Sequence, residues 1–153
     1  MMNINEKVLE EIIKKVIEEQ MKNTKETFQK HVDDSGIISI KADTVECKRF
    51  DTGKENDQVY LTDVLSLQES PRLGCGMMEM KETTFDWTLQ YDEVDYIIEG
   101  SLEIIIDGRK VIGNKGDILF IPKGSSIQFS APNHARFMYV TYPANWEEIA
   151  KAQ

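Results

Sequence analysis

Basic side chains are scarce in this sequence: 18 Lys and Arg stand against 27 Asp and Glu, for a formal charge of −9. That balance argues against a nucleic-acid or anionic-membrane partner, because both reward clustered cations. Apolar runs stop at three to four residues, far short of the roughly 20 that a membrane-spanning helix needs. The beginning of the chain carries no apolar signal core either, which predicts a cytoplasmic chain. Cysteine is limited to Cys47 and Cys75 with no CxxC, so both read as small buried hydrophobes in a reduced compartment. Histidine is limited to His31 and His134; neither has a partner at metal-ligand spacing, and His134 follows Pro132-Asn133 in what reads as an exposed turn. No GxxxxGK[ST] or GxGxxG occurs. Gly113 to Gly116 reads as a tight turn, and Gly74-Cys75-Gly76 as a place where backbones approach closely.

Glycine and proline are both missing from the first 35 residues, and residues 1–30 hold six acidic and six basic side chains. Two differently built segments are therefore joined: 1–30 as an amphipathic helix and linker, 31–153 as a β domain. Ile4, Val8, Leu9, Ile12, Ile13, Val16, Ile17 and Met21 recur at spacings of three and four, which predicts a helix over 4–21. Asn3 can cap it, with Glu6 in capping-box position. Glu10–Lys14, Glu11–Lys15 and Glu18–Lys22 stand in the favourable acid-first order. The heptad seam fails at Glu19, so a long coiled coil is excluded. Asn23 to Asp34 is polar and reads as a linker.

Beyond Gly36 the period falls to two. Val45 to Phe50, Gln58 to Leu67, Leu73 to Met80, Thr84 to Leu89, Val94 to Ile98, Leu102 to Ile106, Ile118 to Ile121, Ile127 to Ser130 and Arg136 to Tyr142 all read as strands. Asp107-Gly108 between Ile106 and Arg109 is a two-residue turn needing positive φ at both positions. Many strands with turns at short intervals mean a sandwich or barrel. Asn145 can cap a short terminal helix, with Glu148 three positions on.

Two segments carry a resemblance. Glu93-Val94-Asp95-Tyr96-Ile97-Ile98-Glu99-Gly100 is similar to the second half of the first cupin motif, and Gly116-Asp117-Ile118-Leu119-Phe120-Ile121-Pro122-Lys123-Gly124 to the second. Phe85-Asp86-Trp87-Thr88-Leu89 running into Tyr91-Asp92-Glu93 resembles the ethanolamine-utilisation EutQ family. The resemblance implies a mainly β, RmlC-like cupin jelly-roll barrel with an N-terminal amphipathic helix and a short C-terminal helix. It implies a homodimer in a bacterial microcompartment, and an acetate kinase activity (acetyl phosphate and ADP to acetate and ATP) using Mg²⁺ with the nucleotide. The alternative is a non-enzymatic, metal-free cupin that organises microcompartment assembly or cargo, docking on a shell protein through residues 4–21, a stripe that can equally pack on the chain's own barrel or on the dimer partner.

Metal cupins place an H-x-H ahead of the Glu and a further His after the second motif. Here Trp87 and Leu89, or Asp86 and Thr88, hold the first places and Ile127 the last. No transition metal is expected, because a lone Glu93 cannot hold one tightly. Alternation puts Glu93, Asp95, Ile97 and Glu99 on one face and Val94, Tyr96 and Ile98 on the other. If Glu93 keeps its cupin orientation, Asp95 also points inward. Glu93 and Asp95 are then the catalytic candidates, with Glu79, Trp87 and Tyr96 as substrate-binding neighbours. Two carboxyls on one apolar-walled face push one pKa up. Such a pair can serve as an acid/base couple or as a weak oxygen-only Mg²⁺ site. It can equally be solvated at the barrel mouth, or paired with Arg72 or Arg136. Which of Asp86/Thr88 or Trp87/Leu89 faces inward stays open at this level.

Overall fold

Three long strands carry the structure. The computed structural model describes residues 6–23 and 28–153. Its elements are helix α1 (Glu6–Asn23), strands β1 (Lys30–Val32), β2 (Ile38–Ile40), β3 (Lys48–Arg49), β4 (Val59–Asp63), β5 (Gly74–Thr88), β6 (Asp92–Ile106), β7 (Arg109–Asn114), β8 (Ile118–Ile121) and β9 (Ser126–Tyr142), and helix α2 (Trp146–Lys151). β1 and β2 form a hairpin of their own, while the large sheet runs β3-β4-β5-β9-β6-β7 with β8 on the free side of β6. All these pairings are antiparallel. This is the mainly β jelly-roll barrel with a helix at each end that the alternating pattern and the cupin resemblance point to.

Several segments expected as separate short strands are single bent ones. Leu73 to Met80 and Thr84 to Leu89 fuse into β5, bent by a register shift between Lys81 and Thr83 where Glu82 takes φ 45°. β6 bends in the same way, with shifts between Ile97 and Glu99 and between Gly100 and Glu103. β9 answers both, pairing with Thr83–Thr88 and Glu103–Ile105 through its first half and with Gly74–Lys81 and Asp92–Ile97 through its second. A bulge inserts an unpaired residue and turns the strand, so one strand serves both walls of the barrel. The β6 bulge also breaks the expected alternation: Glu99 faces solvent, not the interior. His134 lies within β9 at this bend, exposed and 3.6 Å from Glu99, instead of in a turn.

The interior follows from the pattern. Met78, Met80, Phe85, Ile97, Leu102, Ile104, Leu119, Ile121, Ile127, Phe129 and Phe137 form one buried cluster. At roughly 25 cal/mol per Å² of apolar surface, this burial is the main favourable term in the fold. A second cluster of Val45, Val64 and Met77 lies on the outside of β5, covered by Phe28, Ile40, Cys47 and Leu65. Part of the polar stretch read as a linker is therefore structured: β1 begins at Lys30 and Phe28 packs on the barrel. Cys47 and Cys75 are free and half-buried there, and burial pushes the Cys47 thiol up to about 11. Asp107 and Gly108 take φ 49° and 73° between paired Ile106 and Arg109, the primed turn expected. Gly74 and Gly76 do permit close approach: a Cβ on Gly76 would collide with the Tyr139 ring and hydroxyl. Asn145 stands at the N-cap of α2 but makes no side-chain cap bond; its backbone is outside the extended region a capping residue normally adopts.

α1 begins within the predicted helix and reaches past Met21; Asn3 and Ile4 lie outside the described residues. None of its side chains from Glu6 to Glu18 is buried.

The Gly100 bend gives a stability test. Gly100 has φ 72°, and a Cβ there would collide with the His134 carbonyl. Gly124 has φ 89° but open space around it. Gly124→Ala should cost about 1 kcal/mol, the left-handed penalty alone. Gly100→Ala should cost at least about 2 kcal/mol, because a backbone collision adds to it. Urea unfolding of both variants measures the difference; equal losses would mean the bend has room to spare.

Candidate functional site

The bent strands leave a cavity of about 770 Å³ between the barrel, the 64–74 segment and α2. Its walls are aromatic. Phe85, Trp87 and Phe129 come from the barrel, Phe50 from the segment before β4, Tyr91 from the turn into β6, and Trp146 from α2. Trp87 sits 5.9 Å from Phe50 and 6.4 Å from both Phe85 and Trp146, edge-on in each case. Tyr91 lies 4.9 Å from Trp146. The question left open by the sequence has an answer: Phe85 and Leu89 are buried and Trp87 is half-buried, while Asp86 and Thr88 face solvent.

Two carboxyls stand on the inner face of β6. Glu93 is 4% exposed and lines the cavity. Asp95, two residues on along the same face, is 0% exposed, and neither of its oxygens has a hydrogen-bond partner. Burial raises the pKa of Glu93, partly offset by the Tyr91 hydroxyl beside it. Burial raises that of Asp95 well above the usual carboxylate range, and the Glu93 charge raises it further. No Lys or Arg pairs with either carboxyl among the described residues. Trp87 Nε1 donates to the Tyr91 hydroxyl at 2.8 Å, which leaves the Tyr91 hydrogen for Glu93. Burial and the Glu93 charge push the Tyr91 phenol up, so it stays protonated.

Glu79 and Tyr96 are not brought to this site. Glu79 faces outward between Met78 and Met80, and its carboxylate accepts from Arg136, its cross-strand neighbour. Arg136 also donates to the carbonyls of Ala42 and Val45. This clasp holds the 42–45 segment against the sheet, so the Arg136 partner is Glu79 and not the β6 pair. Tyr96 points out with Val94, as alternation requires. Ile127, at the last metal-ligand position, is core. Among the described residues no three His, Cys, Asp or Glu groups come together as a metal ion would need.

Residues not singled out from the sequence complete the site. Tyr139 donates to Asp63 at 2.5 Å, and both line the cavity. Lys30 donates to Glu69 at 2.7 Å and to the Val64 carbonyl at 3.0 Å. Burial tends to raise the Glu69 carboxyl, but the Lys30 ammonium and the Ser66 backbone N–H hold it below the usual range. Lys151 reaches the wall from α2. Tyr91 was accessible by running the β6 alternation back two places. Tyr139 and Lys30 were not, because their placement depends on pairing with strands far away in the chain.

A raised carboxyl has a definite linkage sign. Its contribution to stability is complete below the unfolded value of about 4 and is lost as pH rises toward the folded value. Asp95→Asn removes that loss. Its melting temperature should therefore exceed that of the wild type by about 3 °C or more at pH 8, with the gap closing near pH 4. Thermal melts across that range check it; a variant less stable at every pH would show that Asp95 is held by a partner.

Comparison with known proteins follows this geometry. The family model described as "Ethanolamine utilisation protein EutQ" matches residues 4–148. A protein named acetate kinase EutQ from Clostridioides difficile strain 630 is 59% identical over 94% of this chain and 95% of its own length. A protein of the same name from Salmonella typhimurium LT2 is 36% identical over 94% of this chain, which spans 64% of that longer relative. The solved Clostridium difficile EutQ structure superposes with a TM-score of 0.77 at 63% identity, covering 78% of this chain and 90% of that one. A cupin superfamily protein from Desulfitobacterium hafniense DCB-2 aligns at TM-score 0.52 and 17% identity, covering 67% of this chain and 86% of that one; it shows the fold alone. With the motif-bearing strands in place, the metal ligands replaced and the match running through almost the whole chain, this protein belongs to the ethanolamine-utilisation EutQ family.

Proposed function

We propose that this chain is an acetate kinase of ethanolamine utilisation, transferring a phosphoryl group between acetyl phosphate and ADP. The observation that carries the reading is the 59% identity, over nearly the full length of both chains, to a relative named for that activity. Burial raises both carboxyls of the Glu93–Asp95 pair, which suits such a pair to deliver a proton to, or take one from, a carboxyl oxygen. Tyr91 orients Glu93, and Lys30 and Lys151 are the cations on the wall. Phosphoryl transfer demands cationic stabilisation of the transferring group. Among the described residues no three His, Cys, Asp or Glu groups come together, and in this reading Mg²⁺ arrives with the nucleotide substrate.

The test is phosphotransfer by protein purified from a host lacking its own acetate kinase. ATP should form from ADP and acetyl phosphate, and Glu93→Gln should lower kcat about 100-fold or more with the fold intact. No turnover, or turnover unchanged in that variant, would leave the non-enzymatic reading in its place.

That second reading, an assembly or cargo-organising role in a microcompartment, has an observation of its own. Val8, Leu9, Ile12, Ile13, Val16 and Ile17 of α1 are each between 46% and 51% exposed. An isolated helix of this length is marginal in water, so the stripe needs a surface to lie on. Anchors at i, i+3, i+4 and i+7 suit a groove on a shell protein. Residues 1–30 fused to a fluorescent protein should form puncta in a shell-producing cell, and Leu9→Glu/Ile13→Glu should disperse them. Fluorescence that is diffuse from the outset would remove the shell-targeting role.

A homodimer is part of the proposal. Val94 and Tyr96 of β6 and Ile118 and Phe120 of β8 are paired neighbours on the outer face, each at least 39% exposed. A second copy would cover such a face and the free side of β8 together. Phe120→Glu should shift sedimentation from dimer to monomer; an unchanged sedimentation coefficient would place the contact elsewhere.

A further inference from the structure

Around Glu93 and Asp95 the cavity is acidic, apart from the two lysines on its wall. The titratable side chains that meet Glu93 and Asp95 are Tyr91 in the turn into β6, Tyr139 on β9 and, through Tyr139, Asp63 on β4, and Thr141 on β9 pairs with Glu93. Each is neutral or acidic. The Lys30 ammonium on the cavity wall is engaged by Glu69, and Lys151 stands on the exposed terminal helix beside Glu147 and Glu148. Asp95 is fully buried with both oxygens unpartnered. A buried acceptor without a donor is costly, and native proteins rarely tolerate one without a reason. Glu93, next to it, opens onto a partly open cavity walled by Phe85, Trp87, Tyr91 and Phe129. Aromatic faces attract cations and accept hydrocarbon equally well.

We propose that this cavity binds a small protonated primary amine, its ammonium hydrogens donated to the Glu93 carboxyl on the wall, with Asp95 buried behind it, and its carbon portion set against Trp87 and its aromatic neighbours. A primary ammonium supplies what the site lacks: several N–H donors on one positive centre. A quaternary ammonium would satisfy the rings but not the carboxyl oxygens. A neutral alcohol would leave the charge unmatched. Binding has a proton cost with a fixed sign. Burial raises both carboxyls, so the free pair holds its proton to higher pH than it would with a cation beside it. A cation beside it favours the ionised form, so the proton leaves for solvent as the amine enters. Affinity therefore rises with pH until the amine itself loses its proton. The inference goes beyond phosphotransfer and does not rest on it. If the pair's proton also serves turnover, the amine acts as an inhibitor, since it displaces that proton.

Isothermal calorimetry with ethylammonium chloride, on the full chain without nucleotide or added metal, tests this. Saturable binding is expected, at least 10-fold tighter than for tetramethylammonium or ethanol. Runs in two buffers of different ionisation enthalpy should show net proton release, and the affinity should fall about 10-fold on acidification from pH 8 to pH 6. Glu93→Gln and Asp95→Asn should each weaken binding 10-fold or more, with melting curves confirming that they fold. The wild-type proton release stands whether or not the variants do. Ethylammonium binding no tighter than ethanol, binding equal to that of tetramethylammonium, or binding without proton release would each overturn the proposal. Phosphotransfer is read in a separate assay, so a chain that binds amine without turnover refutes only the kinase, and the reverse result only the amine site.

Discussion

β9 is the strand on which the rest depends. It lies between β5 and β6 along nearly its full length, so its inward residues Ile127, Phe129, Ala131, Ala135, Phe137 and Tyr139 are shared by both walls. Antiparallel pairing on each side satisfies its backbone groups and fixes the register of its neighbours. With the register set, every second residue of β5 and β6 is committed to the interior. A one-residue slip would turn Glu93 and Asp95 out and bring Val94 and Tyr96 in. The functional candidates and the core are therefore specified by the same pairing.

The site is a place where that specification works against stability. Ordinary barrel interiors are filled with side chains that carry no charge, and most of this one is. Glu93 and Asp95 interrupt it on the face that also holds Ile97, with no cation to neutralise them. Burial of a carboxyl without partners is expensive, and it is met here by raised pKa values rather than by ion pairing. Where this fold does bury an ion pair's partners more conventionally, the pairs are structural: Arg136 with Glu79 clasps the 42–45 segment, and Lys30 with Glu69 ties β1 to the 64–74 loop. The contrast separates charged groups that hold the structure together from a buried pair that no ion pair accounts for.

α2 and the 64–74 segment turn the open end of the barrel into a cavity. Trp146 packs on Trp87 and Tyr91, and the Ala144 N–H donates to the Arg72 carbonyl at 2.9 Å. The wall is thus assembled from residues more than fifty positions apart. Aromatic edge-to-face contacts of this kind contribute about 1 kcal/mol each beyond their burial, enough to position a six-residue helix that could not form by itself.

Local pattern carried a good deal. Period-two alternation placed Glu93 and Asp95 on one face, Asp107-Gly108 marked its turn, and the motifs with their missing histidines pointed to a barrel without the usual metal ligands. These are properties of neighbouring residues, set by backbone sterics and side-chain chemistry. Only the tertiary structure decided that Trp87 faces in and Asp86 out, because alternation gives two faces without saying which is the core. It alone showed that Glu79 belongs to Arg136, that the β6 bulge between Ile97 and Glu99 turns Glu99 to solvent, and that Tyr139, Asp63 and Lys30 join the cavity. Each of those facts depends on which strand lies beside which, and register between residues sixty or seventy positions apart is fixed by the packing of the whole barrel, not by any local preference.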